Sequence, residues 1–466
     1  MTTPKHPNLD SVTTINADGS RYYLQPSDVR GRFTTARKLF GLLLIAIYAA
    51  LPWIPINGNP ALFLDIETRQ FHIFGLTLVP QDLWVLFFCI TGLGFALFFL
   101  TSLLGRLWCG WACPYTVFLD HIFRRIERLI EGDAPARKQL DSAPWGGAKI
   151  FKRVAKHTFY GISAFLIAQI FLSYFISLPR LYRYMGESPL EHATAFGVVL
   201  FLTVVLWFCF GWFREQFCII ICPYGRLQSV LTDDDTINIG YDEIRGEPRG
   251  KQGAVTGDCI DCRRCVNVCP TGIDIRNGLQ LECIGCSACV DACDEVMVKI
   301  GRPKGLVRYD SLNGLAGKKR RILRPRIYAY SALACVGLGV LGVLASMNAS
   351  PFTTNVIRAR GAPFFVDGKS VLNSYSIRFL NKRNQPASFT ISLAPGTPDA
   401  YVLNIAGRPL SAGPLGEVVQ PFMVSTVPGK YTGPANLIIQ IKATPGDVVL
   451  TQKVPFIGPD PASVPH

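Results

Sequence analysis

The cysteines are the residues of this sequence whose type and spacing could do chemistry. The chain of 466 residues contains 15 of them, and eight fall between Cys259 and Cys293, whereas residues 1–88 and 336–466 contain none. A secreted protein that depends on disulfides spreads its cysteines through the framework that they connect. The concentration in this sequence is instead typical of a metal site.

Two consecutive runs of four cysteines share the spacing C-x2-C-x2-C-x3-C. Bacterial two-cluster ferredoxins bind 4Fe–4S clusters with this run, and the fourth cysteine of each run ligates the other cluster. The ligands predicted in this way are Cys259, Cys262, Cys265 and Cys293 for one cluster, and Cys283, Cys286, Cys289 and Cys269 for the other. Paired zinc sites also use a C-x2-C spacing, but the doubled run favours the two clusters, which together would form a short electron relay.

Two further pairs of cysteines repeat the pattern C-x3-C-P-Y. The pairs are Cys109 with Cys113 and Cys218 with Cys222. A spacing of four puts both thiols of a pair on one helical face, about 5 to 6 Å apart at Cβ, and the proline disfavours further helix. Together the pairs offer up to four soft ligands, which suit Cu(I) or another thiophilic metal, so we predict a redox or metal-binding role for them. Cys89, Cys209 and Cys335 stand alone in apolar stretches, and we expect them to pack as small apolar residues.

Five apolar stretches that could cross a bilayer separate these motifs, and each lacks Asp, Glu, Lys and Arg. They are residues 39–56, 83–104, 158–178, 193–213 and 327–347. The composition agrees with membrane helices, because 17% of the residues are charged, against about 25% in soluble proteins. The C-x3-C-P motifs follow directly on the second and the fourth predicted span. The first and second helices, and likewise the third and fourth, are therefore predicted to form two copies of one helical hairpin.

The basic residues of the connections predict the orientation of these helices. Lys and Arg number 6 in residues 1–38, 10 in 105–157 and 18 in 214–326, against 1 in 57–82 and 2 in 179–192. We therefore predict that the N-terminus and both cysteine-bearing loops are cytoplasmic and that the C-terminal segment is outside. The net charge of +14 then reflects topology, and no clustered basic face with stacking aromatics supports a nucleic-acid partner.

The segment 348–466 predicts a separate all-β domain. Alternating or β-branched runs separated by Pro, Gly and Asn suggest about seven short strands, as in an immunoglobulin-like sandwich. The segment has no cysteine and no convergent set of His, carboxylate and nucleophile, so we expect it to mediate interactions.

The predicted fold class is a multidomain membrane protein with a five-helix transmembrane bundle, a bacterial two-cluster ferredoxin-like domain and an immunoglobulin-like sandwich. Its segments are a cytoplasmic tail (1–38), four transmembrane helices with a cytoplasmic loop and both C-x3-C-P motifs (39–231), the cytoplasmic ferredoxin-like domain (232–326), a fifth helix (327–347) and the outer sandwich (348–466).

Several stretches together resemble the CcoG/FixG/RdxA family of cytochrome oxidase accessory proteins. These stretches are residues 105–114 (GRLWCGWACP), 126–132, 214–228, 245–250 and the strand 375–382. The resemblance implies a bacterial inner-membrane polyferredoxin that helps to assemble cbb-type haem–copper oxidases and reduces Cu(II) to Cu(I) for the oxidase copper site. It also implies that the cysteines of the C-x3-C-P motifs are the copper positions.

The resemblance implies, as partners, a cbb-type oxidase or its copper chaperones, in addition to the lipid bilayer. No feature identifies the electron donor, and a homodimer is compatible with this type of protein although no motif encodes one. One alternative is a quinol-linked electron-transfer subunit for a periplasmic reductase, which shares the cysteine motifs but not the sandwich. Another is a scaffold whose clusters are structural.

Overall fold

The computed structural model describes residues 14, 22–56, 58–67, 69–78, 83–250, 257–348, 352–359, 361–383, 385–405, 410–414, 416–446 and 448–461. The chain divides into two compact units. The first comprises Met1–Phe74 and Leu78–Gly342, and the second comprises Gly75–Thr77 and Val343–His466. The predicted ferredoxin-like segment thus packs with the predicted membrane helices in one unit.

The α-helices of the described residues include both long apolar rods and short pieces around the cysteines. They are α1 (Arg32–Ala50), α2 (Leu83–Leu104), α3 (Leu107–Trp111), α4 (Pro114–Phe118), α5 (Arg124–Glu131), α6 (Ala134–Ser142), α7 (Gly147–Leu172), α8 (Leu178–Gly186), α9 (Ala193–Phe208), α10 (Pro223–Leu231), α11 (Glu243–Gly246), α12 (Arg264–Asn267), α13 (Ala288–Lys299), α14 (Leu312–Leu315) and α15 (Pro325–Asn348). Tight 3₁₀ turns cover Leu51–Trp53 and Ile275–Asn277, and wide π-helical turns cover Leu119–Phe123, Cys209–Phe213 and Phe217–Ile221.

Four helical segments of the described residues are long and apolar enough to cross a membrane. They are Arg32–Trp53, Leu86–Leu104, Ala193–Phe213 and Pro325–Val343. They coincide with four of the five predicted stretches. Large apolar side chains such as Phe87, Ile90 and Phe201 are exposed on these helices, as expected for surfaces that face lipid.

The predicted span 158–178 corresponds to α7, which begins at Gly147 and ends at Leu172. Its first half carries four basic residues, so it is less apolar than the other four helices. Its buried face, which includes Tyr160, Ala164 and Ala168, packs against α9, where His157 contacts Trp207 at 5.6 Å between ring centroids. That α7 crosses the bilayer stays a prediction.

Helix α1 begins at Arg32, earlier than the predicted start of the first span at residue 39. Gly31 supplies no side-chain cap, but the carboxylate of Asp291 accepts hydrogen bonds from the amides of Phe33 (3.3 Å) and Thr34 (2.7 Å). A cap donated by a residue that is distant in the sequence could not be read from the local pattern.

The segment that carries the eight clustered cysteines is closed by a short antiparallel pair of strands, β6 (Asn238–Tyr241) and β7 (Val307–Asp310). Between them lie α12 and α13, which hold Cys265 and Cys293 in a core with Ile239, Ile275 and Met297. The cysteine loops are therefore packed around one small hydrophobic core.

The second unit is an all-β sandwich, as predicted. Its described strands are β8 (Phe352–Arg358), β9 (Phe365–Asp367), β10 (Ser370–Asn381), β11 (Ala387–Leu393), β12 (Tyr401–Ile405), β13 (Leu410–Ala412), β14 (Glu417–Thr426), β15 (Ala435–Thr444) and β16 (Val448–Phe456). One sheet has the order β12-β14-β10-β8, with β9 beside β10, and the other has the order β13-β11-β15-β16. Alternating residues of β10 and β15, including Tyr375, Ile377 and Ile439, fill the core between them.

Five shorter strands precede α2 in the chain. They are β1 (Pro55–Ile56), β2 (Asn59–Pro60), β3 (Leu62–Asp65), β4 (Gln70–Ile73) and β5 (Leu76–Leu78). Strands β1 and β2 pair antiparallel, as do β3 and β4. These hairpins make a compact connection between α1 and α2.

Candidate functional site

The two C-x3-C-P motifs fold in the same way. The amide of Cys113 donates to the carbonyl of Trp108 (2.8 Å), and the amide of Cys222 donates to that of Phe217 (2.9 Å), so each closes a wide turn of five residues. A new helix, α4 or α10, then begins at the proline. The expected α-helical pairing is therefore interrupted in both motifs, by a wide turn at the end of α3 in the first and by the π-helical turn Phe217–Ile221 in the second, because a residue before proline is disfavoured in helical backbone.

The tyrosine that follows each motif ties it to the other hairpin. The hydroxyl of Tyr115 donates to the carbonyls of Arg214 (2.6 Å) and Cys209 (3.0 Å), just before the second motif. Tyr224, which follows the second motif, lies 2.5 Å from the hydroxyl of Thr101 at the end of α2. These reciprocal contacts hold the two motifs side by side.

The four motif cysteines, Cys109, Cys113, Cys218 and Cys222, consequently lie close enough to influence one another. Burial raises the pKa of Cys218, and the thiols of Cys113, Cys109 and Cys222 raise it further. Burial, with a contribution from Cys113, also raises the pKa of Cys109 to about 12, although Arg106 and Gln228 oppose this shift. All four are partly buried and are thiols without a disulfide. The structure thus brings together the four residues that the sequence predicted for copper.

The eight remaining predicted ligands are described in the two sets that the sequence predicts. We call Cys259, Cys262, Cys265 and Cys293 the first thiol group, and Cys269, Cys283, Cys286 and Cys289 the second thiol group. Burial raises the pKa of Cys293 to about 12, with contributions from the three other thiols of the first group. Burial also raises the pKa of Cys289, with contributions first from the three other thiols of the second group.

The two cysteine loops share an unusual backbone. Asp261 and Arg263 in the first run have φ of 51° and 53°, and Gly285 and Ser287 at the same positions of the second run have φ of 68° and 65°. Left-handed residues curl a loop inward and turn successive N–H groups toward a common point, which suits an anionic centre. This repetition is a structural reason to regard both loops as cofactor cradles.

The sulfurs of both thiol groups, and equally those of the four motif cysteines, are too far apart for three or four of them to bind one ion in this arrangement, although two motif thiolates could still share one copper ion. Among the described residues, the three side chains that bring their ligand atoms within 4.8 Å of one another are Glu187, Glu191 and His192, and no cysteine belongs to that set. One zinc ion would hold thiolate sulfurs about 4 Å apart, since Zn–S is about 2.3 Å. In a 4Fe–4S cluster each sulfur binds a different iron, so the thiolates stand farther apart.

A group of buried ion pairs includes Arg214, which lies four residues before Cys218. The sequence analysis did not identify these pairs. Arg214, Arg137 (3.3 Å) and Lys156 (3.8 Å) surround the carboxylate of Glu127. Burial would raise the pKa of Glu127, but these three cations lower it to about 2. The only available signal was the stretch 126–132, which carried the family resemblance without revealing a role.

A second cluster of ion pairs, formed around Arg124, reaches the second thiol group. Arg124 pairs with Asp120 at 2.7 Å and with Glu215 at 3.5 Å. The same guanidinium donates at 3.0 Å to the carbonyl of Pro270, the residue after Cys269. Helix α5 of the first cysteine-bearing loop thus contacts the ferredoxin-like segment directly.

Three family models match the chain. A model described as "4Fe-4S dicluster domain" covers residues 213–312, and one described as "4Fe-4S binding domain" covers 85–131. A third, described as "IG-like fold at C-terminal of FixG, putative oxidoreductase", covers 342–459. The first match contains both thiol groups together with Cys218 and Cys222, and the second contains Cys109 and Cys113. These matches support iron–sulfur domains and a C-terminal all-β domain.

Curated relatives resemble the chain over most of its length. "Nitrogen fixation protein FixG" of Rhizobium meliloti is 36% identical over 83% of this chain and 82% of its own length. "Protein RdxA" of Cereibacter sphaeroides is 36% identical over 79% of this chain and 81% of its own. "Protein RdxB" of the same organism is 36% identical over 90% and 89%, respectively.

Proposed function

Since the chain belongs to the FixG and RdxA family of membrane iron–sulfur proteins, we propose that it reduces Cu(II) to Cu(I) for the copper site of a cbb-type cytochrome c oxidase. The observation that carries this proposal is the assembly of four thiols from two C-x3-C-P motifs at the ends of apolar helices. These thiols share one compact unit with two further groups of four. The proposed copper ligands and the two thiol groups proposed to hold clusters therefore lie in one compact unit.

The reaction is a one-electron reduction in which Cu(II) is the substrate. Cu(II) gains one electron and becomes Cu(I), and 4Fe–4S clusters, when bound by the first and second thiol groups, supply single electrons. The motif cysteines favour the product, because thiolates bind Cu(I) more strongly than harder ligands do. Each thiol that binds copper loses its proton, so the raised pKa of Cys109 and Cys218 makes binding release protons.

Partial burial of the motif cysteines also serves delivery. A Cu(I) ion held by thiolates at a membrane edge has limited contact with bulk water, and it can pass by ligand exchange to a second thiolate or thioether protein. In the proposed pathway that receiver is a cbb-type oxidase or a copper chaperone that serves it.

Replacing Cys113 and Cys222 together by Ser tests the assignment of copper. We expect copper binding and Cu(II) reduction to fall by roughly tenfold or more, because each motif loses a ligand. The visible and EPR spectra of the iron–sulfur clusters should not change. Cys335→Ser, at an exposed position of α15, is the matched control. Full copper binding and an unaltered rate in the double variant would remove copper from these cysteines.

In the proposed arrangement the protein lies in the bacterial inner membrane. The N-terminus and both thiol groups face the cytoplasm, and the C-terminal domain faces the periplasm. The distribution of Lys and Arg supports this orientation, with 10 in residues 105–157 and 18 in 214–326 but only 1 in 57–82 and 2 in 179–192.

Two alternatives make different predictions. A quinol-linked subunit of a periplasmic reductase would oxidise quinol and would not respond to copper, but the match of residues 342–459 to a FixG domain favours the oxidase-related function. A third iron–sulfur cluster on the four motif cysteines is favoured by one observation, the match of residues 85–131 to a 4Fe–4S domain. Iron content separates this alternative from a copper site.

A further inference from the structure

The first C-x3-C-P motif lies directly on a loop of the second thiol group. A Cβ atom at Gly110 would lie 2.6 Å from the carbonyl oxygen of Ile284 and 2.9 Å from the amide nitrogen of Cys286. From the other side, a Cβ at Gly285 would lie 3.1 Å from the carbonyl oxygen of Arg106. The two backbones touch with no side chain between them, one residue from Cys109 and one from Cys286.

Hydrogen bonds cross the same junction. The indole of Trp111 donates to the hydroxyl of Tyr309 at 3.3 Å, and that hydroxyl donates to the carbonyl of Gly285 at 2.8 Å. Nε2 of Gln228 lies 3.6 Å from the sulfur of Cys109, and Gln228 and Cys283 line one cavity of about 20 Å³, room for a single water molecule. The contact between motif and loop is therefore close and fixed.

Two arginines supply positive charge at this junction. Arg106 lines the same small cavity as Gln228 and Cys283, and its guanidinium donates to the carbonyl of Gly225 but forms no ion pair with a carboxylate among the described residues. Arg37 donates to the carbonyl of Gly110 at 2.5 Å and influences Cys286, but its charge is balanced by an ion pair with Asp120. Arg106 is thus the uncompensated charge between the motif and the second group.

The first thiol group has different surroundings. Cys262 is exposed, and its neighbour Arg263 has a side chain that is 71% exposed. Tyr241 forms a side-chain hydrogen bond with Cys259, and the positive charge of Arg276 acts on the thiol of Cys265. Tyr241 and Arg276 both belong to the ferredoxin-like segment itself. By contrast, the second group contacts the helix ends through Gly110 and through the bond from Arg124 to Pro270.

We propose that the second thiol group is the inner electron-transfer station, from which the electron passes to the motif cysteines, and that Arg106 is a positioning residue whose charge raises the reduction potential of this station. The first group is the outer station, which receives electrons at the exposed Cys262. The proposal rests on the proposed function in taking copper as the acceptor. In the final step the reduced inner cluster loses one electron and one Cu(II) becomes Cu(I), without transfer of a proton.

EPR-monitored redox titration of the full-length, copper-free protein tests this order. Cys262→Ser alters or removes the outer signal and so assigns the two signals. Arg106→Gln should shift only the other signal, to lower potential, because a nearby positive charge stabilises the reduced and more negative state. Arg106→Lys, which keeps the positive charge, should leave the potential of that signal close to the value in the unaltered protein. Arg263→Gln removes the same charge at an exposed position, where solvent screens it, and should leave both potentials unchanged.

Gly110→Ala provides a second probe that does not depend on charge. Its methyl group would press on Ile284 and Cys286, so the line shape of the inner signal alone should change. Gly94→Ala, at a position with no atom within 4 Å of the added methyl group, is its control.

A shift of the outer signal, of both signals or of neither in Arg106→Gln would overturn the assignment, even if the protein reduced Cu(II). The predicted selective shift in a protein that does not reduce Cu(II) would instead uphold the order of the stations and reject copper as the acceptor.

Discussion

Buried charges at the helix ends are the individual residues on which the site depends most. Glu127 is 4% exposed and is the shared partner of Arg214, Arg137 and Lys156, which come from three different segments. Arg214 is itself 2% exposed and has φ of 50°, a conformation that non-glycine residues adopt only when their surroundings require it. The carboxylate therefore fixes the backbone four residues before Cys218.

Replacing Glu127 by Ala should be strongly destabilising. It removes the carboxylate that pairs with the buried Arg214 and Arg137, whereas Lys156 keeps Glu131 at 2.9 Å, and breaking a buried pair in this way costs about 3 to 5 kcal/mol in proteins. Thermal unfolding of the purified protein in detergent measures the effect, with Glu295→Ala as the control. Glu295 forms an exposed pair with Lys299, worth at most about 0.5 kcal/mol. Equal melting temperatures for the two variants would contradict the role of Glu127.

Among residues, the sequence analysis could predict the ligands but not their support. Regular spacing predicts all 12 cysteines as ligands, because a ligand set built from one short loop requires a fixed local spacing. Arg106, Glu127 and Asp291 act on groups far away in the chain, and no local pattern encodes such pairs. Their contributions became visible only when the fold had placed them.

The elements are joined by contacts between the membrane helices and the ferredoxin-like segment. Helix α13 carries Cys289 and Cys293, and between them Asp291 caps the start of α1 through the amides of Phe33 and Thr34. The hydroxyl of Thr34 also donates to Asp291 at 2.7 Å. One helix thus holds ligands of both thiol groups and one end of a predicted membrane span.

Asp291→Ala should release the first turn of α1. Loss of an N-cap costs about 1 kcal/mol, so amide hydrogen exchange in residues 33–36 should accelerate several-fold. Lys299→Ala, at an exposed position of the same helix, should leave that exchange unchanged. Unaltered exchange in Asp291→Ala would show that this cap does not stabilise the helix start.

Helix boundaries were predicted best where composition alone decides them. The charge-free stretch 83–104 became α2 with the same limits, whereas α1 extended to Arg32 and α7 began 11 residues before the predicted span at 158. In both helices the extra turns contain basic residues that pair with carboxylates or carbonyls of other elements. A hydropathy profile ends a span at such basic residues, although in the fold each of them has an ion-pair or hydrogen-bond partner.

For the whole molecule, the number of membrane crossings decides whether the two chain ends lie on the same side of the membrane. Among the described residues, four helices meet the length and hydropathy of a membrane span, and α7 is the fifth by prediction. Five crossings put the chain ends on opposite faces, and four would put them on the same face.

Reporter fusions at the two ends of the full chain test the fifth crossing. We expect a periplasm-active enzyme to be active at the C-terminus and inactive at the N-terminus, because the positive connections retain the N-terminus in the cytoplasm. Activity at both ends, or at neither, would mean that α7 does not cross.

In the proposed protein, eight cysteines bind two iron–sulfur clusters and four others bind copper. Metal and acid-labile sulfide analysis of anaerobically purified full-length protein, with EPR, tests this assignment most directly. We expect about eight irons and eight sulfides per chain, and bound copper that disappears in the Cys113→Ser, Cys222→Ser variant. About twelve irons per chain, with no copper uptake, would contradict it and assign a third cluster to the motif cysteines.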